Sequence, residues 1–273
     1  MLFGGPKGNR TPADGVTSRY TYRYTMGPKI YINIFMNINY NSCYYEYANK
    51  ETEFLSCESK EIYNRNLINR YSELEKYGWI TRKFNYKFNS YGFRCDEFTE
   101  DPSILFLGCS YTCGIGLPIE TVWTSIVAQS LGLQSFNLGQ GGGSNDTAFR
   151  LGYHWIPKLK PKLVILLPPF EERKEIVTPE YIHFITPMTS AVDEDPNKLH
   201  AIQWMSDPTN SYMNKIKNIS ALELLCNNHN IKFIVSNPIH QEEILQGDLA
   251  RDLAHPGIGT HKKFADYVLN SYL

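Results

Sequence analysis

The chain has 273 residues, with 27 Lys and Arg against 28 Asp and Glu, a formal net charge of −1, and 14% aromatic residues. That length suits one sizeable α/β domain with an appendage, and the balanced charge asks for neither nucleic acid nor an anionic membrane as partner. No run of about 18 apolar residues marks a transmembrane helix and the N-terminus lacks a signal-peptide pattern, so a cytoplasmic location is expected. The six cysteines then read as reduced thiols, and no Cys-x-x-Cys pair or histidine cluster suggests zinc.

The opening "MLFGGPKGNRTPADGVTSRYTYRYTMGPK" has no helical or strand period and carries Lys7, Arg10, Arg19, Arg23 and Lys29 against Asp14 alone. An irregular arm is expected over residues 1–57. "GNRTP" can be encoded by the reverse complement of a transfer RNA T-arm. We therefore expect the first ~25–35 residues, up to alternative starts at Met26 or Met36, to be a mis-called start; native peptides preceding Met26 would overturn this. Residues 58–100 read as a collar packed on the main domain. In it, Leu67, Tyr71 and Leu74 have helical spacing ahead of Gly78, and Phe84, Tyr86 and Phe88 alternate as in an edge strand closed by Gly92.

From residue 103 the pattern is regular. "SILFLGC" is a short apolar run suited to a strand buried on both faces, and "PIETVWTSIVAQSLGL" has helical spacing. "QSFNLGQGGGS" is a second strand entering a glycine run, "SNDTAFRLGYHWIPKL" a helix with Ser144 as N-cap, and "KLVILLPP" a third strand. A less regular insert at about 170–214 precedes the helix "NKIKNISALELLCNNHN", the strand "IKFIVSNP" and the helix "HKKFADYVLNSYL". Alternation of this kind predicts βαβ units and a mostly parallel sheet over 101–273, with ligands beyond the strands' carboxyl ends, where Ser110, Gly142, Pro169 and Asn237 fall.

"ILFLGCSYTCGIG" ends its apolar run on Ser110, between Cys109 and Cys113. The residues alone allow a serine nucleophile, a thiol nucleophile or redox pair, or an ordinary turn after a buried strand. Far along the chain, "GDLARDLAHPGIGTH" places Asp252 three residues before His255, so that on one helical turn the carboxylate reaches the imidazole. The glycine run is followed by no Lys-Ser or Lys-Thr, so it is no phosphate loop, and it sits on the wrong strand for a dinucleotide fingerprint.

Taken together, "GCSYTCGIG", "NLGQGG" and Asp252-x-x-His255 followed by "PGIGTH" resemble the blocks of the SGNH, or GDSL-type, hydrolases over about residues 85–273, and "NSYGFRCDEF" is similar to a lead-in of several bacterial members. The resemblance implies a three-layer α/β/α flavodoxin-like sandwich with a mostly parallel five-stranded sheet. It also implies hydrolysis of carboxylic esters through an acyl-enzyme, with Ser110 as nucleophile, His255 as base and Asp252 orienting it. The oxyanion would be held by the N–H groups of Ser110 and Gly142. Two positions depart from the family. Cys109 stands where the first block has aspartate, and "LLPPFEERKE" puts Phe170 about where the third block has its oxyanion-binding asparagine. Asn145 or Arg173 is expected to supply that donor, with Asn145 favoured because it follows the oxyanion glycine. Arg173 and Cys109 are also candidates for lining the substrate pocket.

The substrate expected is a small-molecule or carbohydrate ester, without a nucleic-acid or membrane partner, and the resemblance implies no metal or organic cofactor. Tyr181, Phe184 and Trp204 of the insert could stack on an acetylated sugar or simply pack the insert onto the domain. Two other readings use the same residues: an acyltransferase in which a sugar hydroxyl replaces water, and an inactive binding module, suggested by the lost third-block asparagine. "EERKE" reads as a solvated charged face and His261 as an exposed helix-start residue.

Overall fold

The computed structural model describes residues 44–177, 182–185, 207–236 and 247–273, all within the unit Asn39–Leu273. The N-terminal stretch expected to be a mis-called start lies outside these residues, as do Asn237, Tyr181 and Trp204. In chain order the elements are β1 (Glu51–Thr52), α1 (Lys60–Asn69), α2 (Tyr71–Lys76), β2 (Tyr86–Lys87), β3 (Ser103–Leu107), α3 (Ser110–Cys113), α4 (Trp123–Ser130), β4 (Gln134–Asn137) and α5 (Asn145–Leu159). There follow β5 (Leu163–Leu166), β6 (Lys174–Val177), β7 (Ile182–Ile185), α6 (Pro208–Asn228), β8 (Lys232–Val235) and α7 (Ile258–Tyr272).

The main sheet has the order β4-β3-β5-β8, and each neighbouring pair is parallel. Side chains alternate across a strand, so β3 divides its residues between two cores. Ile104 and Phe106 pack with Trp123 and Val127 of α4 and Phe264 and Val268 of α7. Leu105 and Leu107 face the other way, against Ala148, Leu151 and Trp155 of α5 and Leu222 and Cys226 of α6. The result is the α/β/α layering expected. Its sheet has four strands among the described residues rather than the expected five. After β8 the described chain resumes in a polar turn, whose Asp248 side chain accepts from the N–H groups of Gly259 and Thr260 at 2.7 and 2.8 Å, so this stretch serves as the cap of α7 instead of adding a strand. No helix among the described residues is long and apolar enough to cross a membrane.

The collar differs from its sequence reading in one instructive way. A single helical spacing through Leu67, Tyr71 and Leu74 is broken at Arg70, which leaves helical backbone (φ −139°, ψ 34°) and separates α1 from α2. Its guanidinium is drawn both to Glu73, at 2.6 and 2.7 Å, and to the carbonyl of Leu253, at 3.1 Å. The alternating Phe84–Phe88 segment contributes only β2, paired antiparallel to β1. Within the insert, β6 and β7 form an antiparallel hairpin, and α6 begins at Pro208, capped by Asp207.

Close approach at Gly139, just beyond β4, seats α3. A Cβ there would stand 2.3 Å from the Cys113 nitrogen and 2.8 Å from the Thr112 carbonyl carbon, both backbone atoms with no rotamer to yield. Gly139→Ala is therefore expected to cost about 1–3 kcal/mol, read as a lower urea midpoint at unchanged slope, because α3 itself has to move.

Candidate active site

Ser110 opens α3 immediately after β3, at the carboxyl edge of the sheet, and is 5% exposed. Cys109, before it, is buried in extended backbone, and its carbonyl accepts from the N–H groups of Thr112 and Cys113 at 3.0 Å each. The helix is held from below by Asn137 at the end of β4. Its Nδ2 donates to the Thr112 carbonyl at 2.7 Å, and its Oδ1 accepts from the Gly139 N–H at 2.9 Å.

Asp252 and His255 meet as the spacing requires, on a turn rather than the helical turn expected, since Leu253 between them has φ +56°. One Asp252 oxygen accepts from the N–H groups of Ala254 and His255 at 3.0 Å each, and the other lies 2.5 Å from His255 Nδ1. An ionised carboxylate only accepts, so Nδ1 carries the proton and Nε2 is left as the basic nitrogen. Burial acts to raise the Asp252 carboxyl, but the hydrogen bond and charge of His255 outweigh it and hold it below its ordinary value. The His255 ring stands edge-on to Tyr111, the residue after Ser110, with centroids 5.9 Å apart. No hydrogen bond joins Ser110 to His255 among the described residues; such bonds are often long in ligand-free sites.

The collar grips this turn from outside. Asn66 Nδ2 donates to the Asp252 carbonyl at 3.0 Å, Arg70 reaches the Leu253 carbonyl, and Trp79 Nε1 donates to the Leu249 carbonyl at 2.8 Å. Arg251 pairs with Glu58 at 2.6 Å, and both side chains are nearly fully buried. Sequence patterning shows none of this, because each contact joins residues 170 to 193 positions apart.

The glycine turn after β4 is sorted by its hydrogen bonds. The Gly141 N–H donates to the Tyr44 hydroxyl at 2.7 Å and the Gly143 N–H to the Gln140 carbonyl at 2.9 Å. The Gly142 N–H has no partner among the described residues, nor does that of Ser110. Gly142 lies in left-handed backbone (φ +72°), where a side chain would be strained, and Phe184 of β7 lies against it. Asn145, the first residue of α5, is 2% exposed; its Nδ2 donates to the Pro169 carbonyl at 3.3 Å, while its buried Oδ1 has no partner among the described residues. Phe170 stands edge-on to Tyr111 with centroids 6.1 Å apart, and the Arg173 guanidinium lies 4.7 Å from the Phe170 centroid. No group of three or more His, Cys, Asp or Glu residues among those described is placed to hold a metal ion.

Two sequence readings need correction. "EERKE" is not a uniformly solvated face: Lys174 is 6% exposed and Glu175 forms a 2.7 Å pair with Arg150. His261 is not exposed but 4% accessible, and its Nδ1 accepts from the Trp123 N–H at 3.2 Å, tying α7 to α4. Burial pushes its pKa from 6.5 down to about 3. Between those values the unfolded chain binds a proton at this histidine that the folded one refuses, so stability falls on acidification. The expected loss is about 1 kcal/mol per pH unit from ~6.5 to ~4.5, above the range in which Asp252 takes up its proton. His261→Asn, which keeps an acceptor for Trp123, should flatten the slope of unfolding free energy against pH in that window.

No family model matches the chain, and no curated protein matches it. Among solved structures it is similar to a protein ascribed to the G-D-S-L lipolytic family from Desulfitobacterium hafniense, at 15% identity and TM-score 0.33 over 62% of this chain and 98% of that one. It is also similar to the psychrotrophic esterase EstA from Pseudoalteromonas sp., at 15% identity and TM-score 0.35 over 63% and 96% of the two chains. A third is a family 3 carbohydrate esterase from Clostridium thermocellum, at 13% identity and TM-score 0.33 over 62% and 94%. Likenesses at this level carry no weight for the chemistry, which rests on the residues themselves.

Proposed function

We propose that the chain is a serine hydrolase of the SGNH type, cleaving carboxylic esters through an acyl-enzyme. The observation that carries this is the Asp252–His255 pair at 2.5 Å, seated against Tyr111 beside Ser110 at the carboxyl edge of the sheet. Ser110 Oγ attacks the ester carbonyl and His255 Nε2 takes its proton. Asp252 keeps the imidazole in the required tautomer and stabilises the imidazolium. His255 then passes the proton to the departing alkoxide, and a water activated by the same nitrogen releases the acid. The N–H groups of Ser110 and Gly142, unpartnered among the described residues, are the donors assigned to the tetrahedral oxyanion. The Asn145 amide has one N–H on the Pro169 carbonyl, and its second is assigned to the same oxyanion in place of the missing third-block asparagine. The β6–β7 hairpin, through Phe184 beside Gly142, forms one wall of the substrate site.

Labelling with a fluorophosphonate probe and peptide mapping tests this. The expected result is an adduct on Ser110 that is lost in His255→Ala. A folded protein that takes no label would sink the reading.

A further inference from the structure

The charged run Glu171–Glu175 is sorted by its partners. Glu171 pairs with Lys215 at 3.4 Å and Glu175 with Arg150 at 2.7 Å, and Lys174 donates to the Glu171 carbonyl at 3.0 Å and to Ser211 Oγ at 3.4 Å. Arg173 is different. Its side chain forms no ion pair or hydrogen bond among the described residues, and its Nη1 is buried with no acceptor. The guanidinium lies over the Phe170 ring, and its backbone N–H donates to the Phe170 carbonyl at 3.2 Å, so the turn itself holds the side chain there.

That position faces the site described above. Phe170 stands edge-on to Tyr111 and Tyr111 edge-on to His255, with centroid separations of 6.1 and 5.9 Å, so the cation lies two rings from the candidate base. Its charge is felt at the Tyr111 hydroxyl, whose pKa burial raises and Arg173 opposes. An aromatic face offsets part of the cost of desolvating a guanidinium, but the N–H donors in its plane still need acceptors. Arginine keeps its proton, so it cannot escape that need by neutralising. A planar guanidinium with an unpaired Nη1 among the described residues, two rings from the candidate base, fits a carboxylate brought by the substrate.

We propose that Arg173 anchors a carboxylate on the substrate, so that the preferred esters are anionic ones. This rests on the ester-hydrolase reading. The carboxylate can belong to the acyl or to the alcohol half, and two pairs of esters separate these. Para-nitrophenyl hydrogen succinate is compared with its methyl ester, and para-acetoxybenzoate with methyl para-acetoxybenzoate. In one pair kcat/KM for the charged ester should exceed that for its neutral match by about tenfold, a difference of about 1.4 kcal/mol. That ratio should fall to about one in Arg173→Met and below one in Arg173→Glu. In Arg173→Lys, which keeps the charge but loses the fork, it should be intermediate, and this variant serves as the reading if the others do not fold. The absence of any charge preference in both pairs, or a preference that survives Arg173→Met, overturns the proposal. If Ser110 is labelled by a fluorophosphonate and neither pair shows a preference, the Arg173 role alone fails. If no adduct forms and none of the four esters is cleaved, the hydrolase reading fails and takes this one with it.

Discussion

Asp252→Asn is expected to lower kcat for para-nitrophenyl acetate by about four orders of magnitude while leaving the thermal midpoint nearly unchanged. The two effects part because Asp252 does two jobs with two oxygens. Oδ1 accepts from the N–H groups of Ala254 and His255, and an asparagine carbonyl can take both bonds, so the turn keeps its shape. Oδ2 lies 2.5 Å from His255 Nδ1, and there an amide N–H replaces an acceptor. The imidazole then has to place its proton on the other nitrogen, the one that should receive the proton of Ser110. His255→Ala removes the proposed base altogether and should cost up to about six orders of magnitude, with Ser110→Ala no worse, since residues acting as a unit do not add. Steady-state kinetics of the three variants, alongside melting curves, checks this. A loss in Asp252→Asn of less than about tenfold would remove Asp252 from the mechanism.

The largest stability effect is expected at Glu58. Its carboxylate takes Arg251 Nε at 2.6 Å and Nη2 at 3.0 Å, and it also accepts from the Tyr86 hydroxyl. Tyr86 in turn accepts from the Gly116 N–H at 2.7 Å, and Arg251's own N–H donates to the Gly116 carbonyl at 3.1 Å. Glu58→Ala leaves Arg251 buried without its counter-charge, and a loss of about 3–5 kcal/mol is expected. Replacing both by methionine should recover more than half of it, because the pair's attraction is set against the desolvation of two ions. A double-mutant cycle in urea reads this directly. Glu58→Ala protein that remains folded should also lose about 10- to 100-fold in kcat, since Arg251 precedes Asp252 and its displacement moves the His255 turn. Additive single-variant effects would show that the two side chains do not act as a pair.

The alternation of elements from residue 103 onward was legible because the two central strands, β3 and β5, carry continuous apolar runs bounded by turn residues and buried on both faces. The Asp252–His255 contact was legible from a spacing of three, though the backbone achieves it with a left-handed Leu253 and not with a helix. The break at Arg70 was not legible, since local spacing favours one helix there. What overrides it is a bond from Arg70 to the Leu253 carbonyl, 183 positions away. The burial of His261 was hidden for a related reason. Its polarity suggests a surface, and only the packing of α7 on α4 gives its Nδ1 the Trp123 N–H that makes burial tolerable.

By itself the sequence determined the layered α/β class, the order of the elements after residue 103, and the chemical types set at the strand ends: a hydroxyl, a glycine turn and an acid–imidazole pair. These follow from interactions between residues close in sequence, whose periodicity and spacing are visible one letter at a time. Only the tertiary structure decided which glycine N–H is left without a partner among the described residues, that Arg173 alone of the charged run's cations has none there, and how the collar holds the His255 turn. Those outcomes depend on hydrogen bonds such as Asn66 to Asp252 and Arg251 to Glu58, 186 and 193 positions apart. A buried polar group has to find its partner wherever the fold brings one, and no local pattern records where that is.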